Sequence, residues 1–222
     1  MRRLPAAMVA VIVSVIALGC VAGCSRTVVG SGVVASDNRL DAVLATTPLS
    51  ELMLEPSAFP PEFAAAPLRA AAAQGALALA DGVPPGARVT PPECQPAAPA
   101  EAAALEGVHD DITLRVMLSR GSGALAARRD QLTGCARFSV ATDTGSWDVR
   151  TELLPPPVLD VDDAFALEQT QTNETAGGLS LVGEVAGVRV TAAMTGAPAR
   201  ELDTAVLDQV FTAAVQKLRH AA

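Results

Sequence analysis

The chain has 222 residues, half of them hydrophobic but only 3% aromatic, so leucine, valine and alanine must supply most of its core. Its 16 basic and 24 acidic side chains give a formal net charge of −8. This balance argues against nucleic-acid binding, because that binding depends on lysine and arginine neutralising backbone phosphates.

The chain opens with the layout of a secretory signal peptide, in which two arginines precede an apolar segment at 6–18. The sequence V-A-G-C at 21–24 resembles the bacterial lipobox, where cleavage exposes a diacylated cysteine as the first residue. We therefore predict a signal peptide over 1–23 and a lipoprotein attached to the extracytoplasmic face of the cell membrane by acyl groups, such as palmitate, on Cys24. The alternatives are ordinary secretion or an uncleaved anchor over 4–23, because about 20 apolar residues span a bilayer.

The residues after the lipobox are predicted to form a flexible tether over 24–36, followed by one domain over 37–222. Apolar residues at helical spacing from residue 40 predict a first helix that ends before Pro48. Helical propensity then predicts helices at 67–80 and 99–106, and proline and glycine predict loops at 57–63 and 81–96.

From residue 111 the hydrophobic pattern changes to an alternation typical of a half-buried strand, with Met117 as its one exception. The joints at 143–146 and 186–187 are short enough for antiparallel hairpins. These features predict an α+β fold with a twisted antiparallel β-sheet, helices packed on one face and a long C-terminal helix. The predicted strands are 111–119, 135–142, 146–154, 164–172, 179–185 and 188–195, and the predicted helices in this half are 123–134 and 202–218.

Cysteine usage supports export from the cytoplasm. Cys20 would leave with the signal peptide and Cys24 would carry lipid, which leaves Cys94 and Cys135 as one pair. In an oxidising envelope this pair is expected to form a disulfide. Two separate buried thiols are the alternative, and a metal site is not expected because no histidine lies at ligand spacing from either cysteine.

The sequence carries no strong catalytic motif: G-x-S-x-G, H-E-x-x-H, C-x-x-C, the Walker loop and the Rossmann glycine pattern are all missing. The two histidines are His109, which precedes two aspartates, and His220 near the C-terminus. The H-D-D segment could touch a metal but is predicted to be a solvated turn. No catalytic residue, metal site or cofactor is therefore predicted.

Three further polar segments stand out in the sequence as possible functional sites. Asp160, Asp162 and Asp163 are predicted to form a turn leading into a strand rather than a calcium loop. Arg128 and Arg129 are predicted on the exposed face of a short helix. The sequence G-S-G-A at 121–124 places a serine between glycines without an identifiable base to activate it.

Three segments resemble mycobacterial and related actinobacterial surface lipoproteins whose domain is similar to the extracellular sensor domain of the receptor Ser/Thr kinase PknH. They are LSELMLEPSAFPPEF at 49–63, TPPECQP at 90–96 and GCARFSV at 134–140. The resemblance covers most of 40–220. It implies an α+β domain with a twisted antiparallel sheet, a stabilising disulfide and a ligand cleft.

We therefore predict a lipid-anchored, non-catalytic module, sensor-like in character, that binds a small molecule or an envelope protein. Its binding surface is expected where the sheet meets the proline-rich loops, with Phe59 and Phe63 contacting ligand if their rings are exposed. The alternative for both rings is that they fill the core. The alternative functions are a carrier of a lipid or other apolar ligand, which needs a large cavity, and an envelope enzyme.

Overall fold

A computed structural model describes residues 38–171, 177–196 and 202–221. The predicted signal peptide, Cys24 and the tether lie outside the described residues, so they stay predictions. Within the described ranges, no helix is long and apolar enough to cross a membrane.

The described residues form nine strands, five α-helices and three 3₁₀ turns, so the predicted α+β class is confirmed. The helices are α1 (Asn38–Thr46), α2 (Leu49–Leu52), α3 (Ala70–Ala80), α4 (Leu125–Gly134) and α5 (Thr204–Arg219). The strands are β1 (Ala66–Pro67), β2 (Arg88–Thr90), β3 (Glu101–His109), β4 (Ile112–Arg120), β5 (Arg137–Thr142), β6 (Gly145–Leu154), β7 (Asp163–Gln171), β8 (Gly177–Val185) and β9 (Val188–Gly196). The 3₁₀ turns are Pro56–Ala58, Pro61–Phe63 and Pro92–Cys94.

The strands form a single sheet in the order β1-β3-β4-β9-β8-β7-β6-β5-β2, and every pairing is antiparallel. The two predicted hairpins are confirmed, because β5 pairs with β6 and β8 pairs with β9 across their short joints. The two edge strands, β1 and β2, have only two and three residues. Short edges expose little unpaired backbone to other chains.

The helix predicted at 99–106 is wrong, because residues 101–106 belong to strand β3. Alanine favours a helix in isolation, but here alternate side chains of β3 meet opposite faces of the sheet. Leu105 joins one core cluster, whereas Ala104 packs in another with Met117. Pairing with β1 on one side and β4 on the other outweighs the local propensity.

Helices cover both faces of the sheet rather than the one face predicted. We name the faces after the helices that cover them. On the α5 face, α1, α2 and α5 cover Leu114, Val116 and Leu118 of β4. On the α3 face, three alanines of α3 pack on Met117, and α4 covers β7 and β8. Met117 interrupts the alternation of β4 because that strand is buried on both faces.

The predicted disulfide between Cys94 and Cys135 is confirmed, with the two Cα atoms 5.6 Å apart. Cys94 ends a 3₁₀ turn and Cys135 follows the last residue of α4. Beside the bond, Gln131 Nε2 donates hydrogen bonds to the carbonyl oxygens of Glu93 and Gln95, at 2.6 and 2.9 Å. The bond and the glutamine together fix the segment after Cys94 against α4.

Candidate ligand-binding cleft

A cleft opens on the α3 face of the sheet, between the C-terminal end of α3 and helix α4. Its inner part, which we call the inner chamber, has a volume of about 40 Å³. Strands β4, β9, β8 and β7 form the floor, and Ala97 and Pro99 form part of the wall. The polar and charged residues that line the chamber are Asp81, Ser119, Ser122, Arg128, Ser180, Arg189 and Thr191.

Three buried hydroxyl groups form the polar floor of the inner chamber. Ser119, Thr191 and Ser180 lie on β4, β9 and β8, which are neighbours in the sheet. The floor therefore offers three groups that can donate to or accept from a polar ligand.

Arg189 brings a positive charge to this floor. Its Nη2 donates to the carbonyl oxygen of Gly123 at 2.8 Å, which anchors the guanidinium at one end. Its Nε is buried and has no hydrogen-bond partner among the residues that the structure describes. Burial is the main cause that lowers the pKa of Arg189; Glu184 and Asp81 act in the opposite direction, and nearby Arg128 lowers the pKa further. The two carboxylates thus offset the effect of burial only in part.

A hydrogen-bonded chain joins the two helices at the rim of the chamber. Arg128 of α4 donates to Asp81, at the end of α3, at 2.7 Å and to Gln131 at 2.6 Å. Because Gln131 also holds the segment after Cys94, this chain links both walls of the cleft to the disulfide. The side chain of Arg128 is only 10% exposed and that of Asp81 is 31% exposed, so the pair is partly shielded from water.

A second, more open cavity continues from the inner chamber along the outer side of α3. This outer groove has a volume of about 310 Å³. Its walls are mostly alanine, proline and glycine, drawn from α3 and from the loops at 83–86 and 95–99. The two cavities share Leu77, Asp81, Ala97 and Pro99 in their linings. They therefore adjoin each other, and we refer to the two together as the cleft, with a polar inner end and an apolar outer part.

Some polar segments considered from sequence take part in this cleft. Ser122 lines the inner chamber, and the adjacent Gly123 anchors Arg189. The exposed position predicted for Arg128 is wrong, because its side chain is only 10% exposed and pairs with Asp81. Arg129 is 36% exposed and pairs with Asp163. From sequence alone, charged side chains on a short helix fit an exposed face as well as a buried ion pair. Their partners, which are distant along the chain, could therefore not be inferred.

Phe59 and Phe63 are buried on the α5 face, with 3% and 5% of their surfaces exposed. Gly107 of β3 accommodates them closely: a Cβ atom there would lie 2.8 Å from the Phe63 Cβ and 3.3 Å from the Phe59 ring. This placement fits the alternative in which both rings fill the core. Their role in ligand contact stays a prediction, and the cleft described above lies on the other face.

The cleft is lined neither by the two histidines nor by the aspartates of the 160–163 segment, which are Asp160, Asp162 and Asp163. His109 sits at the β3–β4 hairpin, 43% exposed, with its ring centroid 5.7 Å from that of Phe63. Asp163 begins β7, as predicted, while Asp162 accepts hydrogen bonds from Ala186 N at 2.7 Å and from Arg219 at 3.0 Å. No group of three or more potential metal ligands occurs in the described ranges.

Sequence reasoning missed Arg189, Ser119, Ser180 and Thr191. Each lies within a predicted strand, at a position where a solvent-facing polar residue is expected. The detectable signal was the excess of apolar residues in β4, β8 and β9, which indicates burial on both faces. In such strands a polar residue on either face is a candidate for a buried site.

Comparison with known proteins gives partial structural matches. The extracellular domain of PknH from Mycobacterium tuberculosis matches with a TM-score of 0.48 and 11% identity, covering 82% of this chain and 91% of that one. An uncharacterized protein (Rv0999 ortholog) from Mycobacterium smegmatis matches with a TM-score of 0.43 and 16% identity, covering 83% and 97%. The chain is thus structurally similar to both at low sequence identity. No protein-family model and no curated protein matches it.

Proposed function

We propose that this protein is a non-catalytic, sensor-like binding module of the cell envelope that holds a small molecule in the cleft on its α3 face. The observation that supports this proposal most strongly is that a polar inner chamber adjoins the outer groove and shares four lining residues with it. The outer groove alone, at about 310 Å³, is at the lower end of the usual range for small-molecule sites. Such a cleft suits one small ligand better than the long chain of a transported lipid.

The chemistry of the cleft supports binding rather than catalysis. Its only carboxylate among the described lining residues is Asp81, which Arg128 engages at 2.7 Å. General acid–base catalysis needs a group that can exchange a proton near neutral pH, such as a histidine or a carboxyl with a raised pKa. His109 lies at a hairpin outside the cleft. The arrangement of guanidinium and hydroxyl groups suits recognition.

Filling the outer groove tests this proposal. Ala78 lines the groove from α3, so Ala78→Trp should displace the ligand and lower its retention at least 10-fold. Ala72 is exposed on the same helix and does not line the groove, which makes Ala72→Trp the matched control. The measurement is the bound fraction after purification from the native host, read by native mass spectrometry. Equal retention in both variants would contradict this location for the site.

We also propose that Cys24 anchors the module to the membrane by its acyl groups. The charged start, the apolar segment and the V-A-G-C sequence at 21–24 all support this proposal. The disulfide adds independent support, because such bonds persist in oxidising compartments outside the cytoplasm.

Processing at Cys24 has a direct test. The mature protein is expected to begin at Cys24, to carry acyl groups and to partition with membranes, whereas Cys24→Ser should be released or left unprocessed. Intact mass measurement of both forms checks this expectation. A wild-type chain that is unmodified and still begins at Met1 would refute it.

A further inference from the structure

We propose that the inner chamber recognises a single anionic group, a carboxylate or a phosphate, and that the apolar remainder of the same ligand lies in the outer groove. The proposal rests on the proposed function, because it assumes that the cleft binds a ligand, and it adds the chemical class of that ligand.

The charges that line the inner chamber leave an excess of positive charge. They are two guanidinium groups, from Arg128 and Arg189, and one carboxylate, from Asp81. Arg128 is paired with Asp81 at 2.7 Å, which neutralises both. Glu184 is the cross-strand neighbour of Arg189, yet no carboxylate in the described ranges forms an ion pair with Arg189. An anion in the chamber would complete the compensation of this charge.

The hydrogen-bonding capacity of Arg189 points the same way. A guanidinium has five N–H donors, and the hydrogen bond to Gly123 uses one of them. Glu184 and Asp81 attract this charge without forming an ion pair with the guanidinium in the described ranges, and its buried Nε has no hydrogen-bond partner there. The guanidinium can therefore still form charge-assisted bonds to a ligand. The hydroxyls of Ser119, Ser180 and Thr191 on the same floor can donate to the remaining oxygen atoms of an anion.

The size of the chamber restricts what can enter. A cavity of about 40 Å³ accommodates roughly three water molecules, since one water needs about 10–15 Å³ by this measure. A carboxylate or phosphate group is of that size, whereas a sugar ring is larger. The rest of the ligand must therefore leave through the shared boundary at Leu77 and Pro99 into the outer groove. That groove has alanine, proline and leucine in its walls, so it favours an apolar segment.

The test compares octanoate with octanol, two probes that share an eight-carbon chain but differ in charge, by isothermal titration of the purified chain freed of ligand. Wild type should bind octanoate at least 10-fold more tightly than octanol. Arg189→Gln should abolish this preference, because a hydrogen bond to a charged group is worth about a factor of 10 or more. Arg189→Lys should retain part of it, which separates loss of charge from misfolding. Arg150 is 59% exposed outside the cleft, so Arg150→Gln is the control for net charge.

Inorganic phosphate, titrated separately and in competition with octanoate, distinguishes the two sources of the anionic group. Competition would show that both anions enter the same chamber. Tighter octanoate binding supports the proposed amphiphile, whereas tighter phosphate binding would keep the anion site and overturn the placement of an apolar remainder in the outer groove. Equal binding of octanoate and octanol, with both lost in Ala78→Trp, would overturn the anion inference while leaving the cleft as the binding site. If neither probe bound, or if Ala78→Trp changed neither, the inference and the proposed function would both be contradicted.

Discussion

Cys94→Ser is expected to lower the free energy of unfolding by about 4 kcal/mol. The bond closes a loop with a sequence separation of 41 residues, and its loss restores that loop's freedom to the unfolded chain. For a domain of this size the melting temperature should fall by about 8–16 °C. Thermal unfolding under non-reducing conditions measures the shift.

The same substitution should also weaken ligand retention, because the disulfide holds one wall of the cleft against α4. Cys135→Ser and the double variant are the controls, since each removes the same bond and should melt at the same temperature as Cys94→Ser. Labelling of both cysteines in the unreduced wild-type protein would show that the bond does not form.

Phe63→Ala is expected to destabilise the domain by about 3–5 kcal/mol, because it removes a buried ring and leaves a cavity. Phe63 packs on the α5 face, where Gly107 allows β3 to approach it closely. The corresponding fall in melting temperature is about 6–20 °C. Ligand binding should survive below that temperature, because the cleft lies on the other face of the sheet.

Val158→Ala serves as the control for Phe63→Ala, since Val158 is fully exposed and its truncation should leave melting unchanged. Phe59→Ala should behave like Phe63→Ala, because both rings belong to the same core cluster. Unchanged melting together with lost ligand capture in either phenylalanine variant would instead assign that ring to recognition.

Much of the fold was predictable because its strands repeat a two-residue pattern between short turns. The hairpins at β5–β6 and β8–β9 follow from joints too short for any other connection. The amphipathic stripe and the capping aspartate Asp203, which accepts hydrogen bonds from two backbone N–H groups, mark the start of α5. Such signals are local, so a single sequence contains them in full.

The misassigned elements depend on contacts between distant residues. The alanine-rich sequence of β3 has a high helical propensity, but the pairing of β3 with β1 and β4 on either side makes it a strand. Helices α3 and α4 were predicted, but their position on a second face of the sheet was not. Alanine, which dominates the buried side of α3, gives little contrast between buried and exposed positions.

The sequence pointed to two proline-rich loops, and only one of them borders the cleft. Residues of the loop predicted at 81–96 line the outer groove, whereas the loop predicted at 57–63 packs on the opposite face of the sheet. The charged floor of the cleft depends on Arg189, which lies on β9, and on Gly123, which is distant in sequence but close in the fold. The contact between Arg189 and Gly123 follows from the order of the strands in the sheet, so it cannot be inferred from spacing along the chain.

Native mass spectrometry of the wild-type protein, purified from its own host under non-denaturing conditions, is the most direct test of the claim that this domain is a binding module. We predict a mass that exceeds the processed and acylated chain by one small molecule, and that returns to the chain mass on denaturation. Recovery of the chain mass alone under native conditions, from cells in which the protein is fully processed, would contradict the claim.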